Sequence, residues 1–156
     1  MPELSTEVVS RAAFSYESMM YAAEWLVWHQ DDKTLEPGMW NAHVDSFLLH
    51  ARRLHDLIVG ERRSDDDLVL QDLLEQAPNI ALPQTAEFRG RMNKRILHLT
   101  HHAEPEFVSW PVELISRELA TAMDRVIEAM AEGGSIHHDR FVRARNGQPG
   151  FRKLIM

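Results

Sequence analysis

Two arginines and two histidines, Arg91, Arg95, His98 and His102, recur at spacings of four, three and four. On a helix turning about 100° per residue they gather within about 60° of one another. Such a stripe has the parts for phosphodiester chemistry: a guanidinium neutralises phosphate charge, and an imidazole moves a proton near neutral pH. In that assignment Arg91 stabilises the charge developing on phosphorus and His98 transfers the proton. Arg95 and His102, with His50 and His55 from another helix, then bind substrate. A plainer arrangement leaves the arginines solvated or paired with acids on a neighbouring helix, such as Asp45 or Asp56. A third draws His98 and His102, at i and i+4, together with His43 and His50 into a metal site between helices. There is no HExxH and no Glu-x-x-His pair, and two nearby arginines repel a cation, so no metal ligand is assigned and no cofactor is expected. Ser46 and Ser116 have no convincing His/Asp partners for nucleophilic hydrolysis.

The element that organises these groups is the helix expected over Asn41–Val59, which carries His43, His50 and His55. Val44, Phe47, Leu48, Ala51, Leu54 and Ile58 fall on one broad apolar face, as in a helix packed on a core. His55 falls inside that face and needs a hydrogen-bonding neighbour, because an unpartnered buried imidazole costs about 1–3 kcal/mol. His43 and His50 lie together on its edge. Leu35-Glu36-Pro37-Gly38 reads as the preceding turn, and Gly60 as the stop.

Around this helix the pattern predicts three more long helices. The first runs from about Thr6 to Gln30, opened by Ser5 or Thr6, with Val9, Ala12, Ala13, Tyr16, Met19, Met20, Ala23, Leu26 and Val27 inward. Phe14, Tyr21, Trp25 and Trp28 form a second apolar stripe roughly opposite, so this helix is expected to be covered on both sides. A short helix follows Ser64, which with Asp65, Asp66 and Asp67 reads as a cap and an acidic first turn, and carries Leu68 to Ala77. The segment PNIALP, 78–83, is a linker. The next helix starts at Gln84 or Thr85, buries Phe88, Met92, Ile96, Leu99 and Ala103, and ends at Glu104-Pro105. The last opens at Ser109-Trp110-Pro111 and sets Val112, Ile115, Leu119, Ala122, Met123, Val126, Ala129 and Met130 on one face before Gly133-Gly134 stops it. No alternation persists long enough for a sheet. The expected fold is all-α, an up-and-down bundle of four long helices plus a short helix over residues 1–134, followed by a basic C-terminal tail over 135–156 without sustained period.

Composition sets the remaining bounds. At 156 residues the chain suits one domain. It has no cysteine, which excludes disulfides and thiolate chemistry. An N-terminal segment that is neither basic nor apolar, and no run of eighteen apolar residues, predict a cytoplasmic protein outside the membrane. In the tail Arg140, Arg143, Arg145, Arg152 and Lys153 stand against Asp139, giving +4, so the rest of a chain of net −7 carries −11. An acidic body gives no support to a large RNA-binding surface. Eight methionines and four tryptophans suit an interface, and a homodimer through Phe14, Tyr21, Trp25 and Trp28 is expected.

The segments SFLLHARRLHDLI and RMNKRILHLTHH, in a small all-helical chain, resemble bacterial proteins of the HEPN group. That group contains dimeric helical bundles whose ribonucleases carry an Arg, four to six residues and a His, in toxin and phage-defence systems. The resemblance implies a metal-independent ribonuclease with Arg91 and His98 as the matching pair, and Arg95 with His101 as a second match. Met92 and Ile96 stand where that group usually has a polar residue. Some members bind without catalysis, and the expectation adopted for this chain is a dimeric binding or interaction module. The ribonuclease and a His-lined metal-binding bundle are the alternatives.

Overall fold

Ser5 caps the first helix, α1 (Thr6–His29), its side chain accepting a hydrogen bond from the amide of Val8. The computed structural model describes residues 4–60, 62–97 and 110–147. α2 (Pro37–Val59) begins earlier than the sequence suggests: Pro37 and Gly38 are its first residues and not a preceding turn. Proline at that position loses no helical hydrogen bond and presets the helical φ. Gly60, at φ 74°, ends α2 in the left-handed conformation that glycine adopts without strain.

The Ser64 region differs from expectation. Asp67 folds back to accept from the amides of Arg63 and Ser64, so the aspartate run makes a local turn in place of a helix start. The helix there shrinks to α3 (Leu70–Leu73), where Asp72 accepts from the amide of Val69 and from Arg62. α4 (Pro83–Leu97) again opens on a proline. Its first free amides are satisfied by another helix: Glu118 accepts from Gln84 N, Thr85 N and Thr85 Oγ1 at 3.0, 2.7 and 2.6 Å. α5 (Val112–Glu132) has Pro111 as its capping residue and stops at Gly133-Gly134. α6 (His138–Asn146) lies in the stretch expected to lack periodicity.

The regular structure of the described residues is entirely helical, with no strand. Side-chain pairs fix the direction of each neighbour. Ser15 meets His50 and Trp25 meets His43, so α1 and α2 run antiparallel. Asp56 meets Arg89 and Asp45 meets Arg95, so α2 and α4 do the same. Tyr16, Met19 and Leu26 of α1, Phe47, Leu48 and Leu54 of α2, and Ile115, Met123 and Met130 of α5 fill one core that Met92 of α4 enters from the side. Phe141 anchors α6 in that core; burying it is worth about 2–3 kcal/mol. Arg140 adds hydrogen bonds to Thr6 O and Ser10 Oγ of α1, and Arg145 reaches Asp124 of α5. Among the described residues no helix is long and apolar enough to cross a membrane.

Candidate functional site

Arg91 and Arg95, neighbours on α4, reach in different directions. The Arg91 guanidinium lies 4.8 Å from the Trp110 ring centroid and 5.5 Å from that of Phe88, a cation–π stack at the start of α5. Arg95 crosses to α2, donating to Asp45 at 2.8 Å and to Asn41 at 3.2 Å. His98, His101 and His102, which complete the stripe, lie outside the described residues. His43, His50 and His55 turn to three different neighbours, so the described members of the set do not line one cleft.

What the seam between α2 and α4 does assemble is a charged cluster around Asp56. Arg89 Nε donates to its Oδ1 at 2.9 Å, His55 Nδ1 lies 3.3 Å from the same oxygen, and Arg52 Nε approaches Oδ2 at 3.8 Å. Burial pushes the Asp56 carboxyl up, but the hydrogen bonds and charges of His55 and Arg89 overcome it and hold it at about 2. Asp56 is therefore ionised throughout the neutral range, and Nδ1 of His55 carries the proton it shares with the carboxylate. His55, 5 % exposed, meets the need for a partner within the apolar face. Arg52 Nε and Arg89 Nη2 are buried and have donor capacity not met by a hydrogen bond. Arg89 escapes notice in the sequence because the apolar line Phe88–Met92 draws attention to its neighbours; its position three before Met92, on the edge of that line, is the available signal.

His50 packs against α1. Its Nδ1 is 3.2 Å from Ser15 Oγ, and the ring of Phe14 stands edge-on to it at 5.7 Å. Burial first, and then the charge of Arg53, lower its pKa to about 4, so it is a neutral imidazole at physiological pH. A serine beside a neutral histidine can in principle pass a proton. Here Ser15 is itself buried, and the pair acts as a polar tie between two helices.

Trp25 lies stacked between two imidazoles, with ring centroids 4.2 Å from His29 and 3.6 Å from His43 and interplanar angles of 20° and 8°. Two rings that close and that parallel cannot share one side of an indole, so they cover both. Each Nδ1 donates to a backbone carbonyl, His29 to Trp25 O and His43 to Met39 O, which fixes the tautomer and separates the two Nε2 atoms by the thickness of the sandwich. Among the described residues no three His, Cys, Asp or Glu side chains come together to hold a metal ion.

Along the same face of α1 the remaining aromatics are open. Phe14 is 60 % exposed, Tyr21 49 % and Trp28 62 %. The stripe expected to be covered on the second side of α1 is thus solvent-facing in the monomer, except for Trp25. Comparison with known proteins finds no matching family model, no matching curated protein and no matching solved structure.

Proposed function

We propose that this chain is a non-catalytic interaction module of the cytoplasm, an up-and-down bundle on the four long helices α1, α2, α4 and α5 that pairs with a second copy through α1. The observation that carries the reading is the open aromatic stripe of Phe14, Tyr21 and Trp28. Large aromatic side chains left in water at helical spacing mark association. The stripe is also self-complementary: Tyr21 stands seven residues from each of the other two. A two-fold crossing at Tyr21, with the two α1 helices antiparallel, sets Phe14 of one copy against Trp28 of the other. Each ring has on the order of 100 Å² left to bury, which suits a dimer held in the micromolar range and not a permanent one.

Sedimentation equilibrium tests this. The wild-type chain is expected to be dimeric at tens of micromolar, and Tyr21→Lys, which sets two like charges face to face on the axis, monomeric with an unchanged circular dichroism spectrum. A monomeric wild type, or a variant that stays dimeric, refutes the proposal.

A further inference from the structure

α6 lies along α1 and runs in the same direction. Its Arg140 donates to Thr6 O and Ser10 Oγ, and one residue past its end Gly147 stands beside Glu17, where an added Cβ would lie 2.9 Å from Oε1. The chain that follows Gly147 is thus delivered to α1 one turn short of Tyr21. Phe14, Glu17, Tyr21, Glu24 and Trp28 recur at spacings of three, four, three and four, so two carboxylates and the aromatic stripe share one seam. Among the described residues neither Glu17 nor Glu24 forms an ion pair or a hydrogen bond. Residues 148–156, QPGFRKLIM, complement that seam: Phe151, Leu154 and Ile155 bring apolar surface, Arg152 and Lys153 bring positive charge, and no side chain is acidic. Length suffices as well. This segment extends to about 30 Å, whereas Glu17 to Trp28 is a rise of about 16 Å along the helix.

We infer that residues 148–156 dock on this seam of their own chain, with Arg152 and Lys153 against Glu17 and Glu24 and the apolar residues on the ring of Tyr21, and that they compete there with the second copy. The competition rests on the pairing through α1 proposed above; the docking does not. Ion pairs along an exposed seam are weak, so the segment is docked for part of the time. Both copies must shed it before they pair, which raises the apparent dissociation constant by the inverse square of the undocked fraction. Docking for about two-thirds of the time weakens the dimer about ninefold.

Two measurements on the full chain test this. Phe151→Ser combined with Leu154→Ser removes apolar contacts at unchanged charge, and sedimentation equilibrium is expected to show a dimer tightened about fivefold or more. An unchanged or weaker dimer overturns the competition. Docking is read separately by paramagnetic broadening. The chain has no cysteine, so Met156→Cys takes a single nitroxide. With this chain isotope-enriched and diluted into an excess of unlabelled chain, broadening of amide signals is expected to centre on Tyr21 and Glu24 and to disappear there when Phe151→Ser and Leu154→Ser are added. No such broadening, or broadening as strong when the nitroxide and the isotope sit on different copies, overturns the docking. If wild type and the double variant are both monomeric while the broadening is present, the pairing fails and the docking stands. A dimer without the broadening refutes the inference and leaves the pairing intact.

Discussion

Acidifying the protein from pH 7 to pH 4 is expected to remove on the order of 3 kcal/mol of stability through one side chain, His50. The ring is 7 % exposed, tied to Ser15 and edged by Phe14, and its pKa falls from 6.5 to about 4 through burial and the charge of Arg53. In the unfolded chain the same imidazole titrates near 6.5. Between those values the unfolded state holds a proton that the folded state does not, so stability is fully present above about pH 6.5 and declines as pH falls towards 4. A separation of about 2.5 units at about 1.4 kcal/mol per unit sets the size of the effect. Urea unfolding at intervals across this window measures it; with a slope of about 1–3 kcal/mol per molar, the midpoint is expected to drop by about 1–3 M. His50→Gln keeps a polar group beside Ser15 but cannot titrate, so the difference between wild type and variant isolates His50 from the other histidines. If the two lose stability in parallel across the window, the burial argument for His50 is wrong.

Other expectations follow from the same contacts. Glu118→Ala strips three hydrogen bonds from the start of α4 and is expected to lower stability by about 1–2 kcal/mol in chemical denaturation. Gly60→Ala forces a left-handed residue and brings a methyl to 2.8 Å from Gln71 Oε1, for a loss of about 1 kcal/mol read as a lower melting temperature. A mixed RNA pool incubated with the purified chain in chelator is expected to remain intact on a denaturing gel. Cleavage that Arg91→Ala abolishes would replace the interaction module with the ribonuclease.

Much of the fold was readable because helical periodicity reports burial directly. Val9, Tyr16, Met19, Met20 and Leu26 of α1, every apolar residue assigned inward on α2, and Ile115, Leu119, Met123, Val126 and Met130 of α5 are buried as their spacing requires, while Ala12, Val27, Val112 and Ala129 of the same faces are half-buried. The short elements were harder. α6 buries only Phe141 and Ala144, one turn apart, and two residues cannot declare a period. Ser64 looks like a helix cap, but Asp67 folds back onto the amides of Arg63 and Ser64 and the segment closes as a turn. The candidate site was the least legible. The sequence allows the stripe arginines to pair with acids such as Asp45 or Asp56 without choosing between them, and Arg95 with Asp45 is the pair that forms. Ser15 with His50, and Arg89 with Asp56, depend on the register between two helices, which no single-helix projection contains.

The indole of Trp25 has a consequence for the turn beside it. Imidazoles from the last residue of α1 and the second turn of α2 close on it from either side, so this end of the hairpin is fastened by side chains on the helices themselves. The covalent link through residues 30–36 then serves as a leash and not as a hinge pin. Spacers threaded into it, or new chain ends opened there, leave the clasp engaged, and that makes the loop the natural place to attach a label or a fused domain.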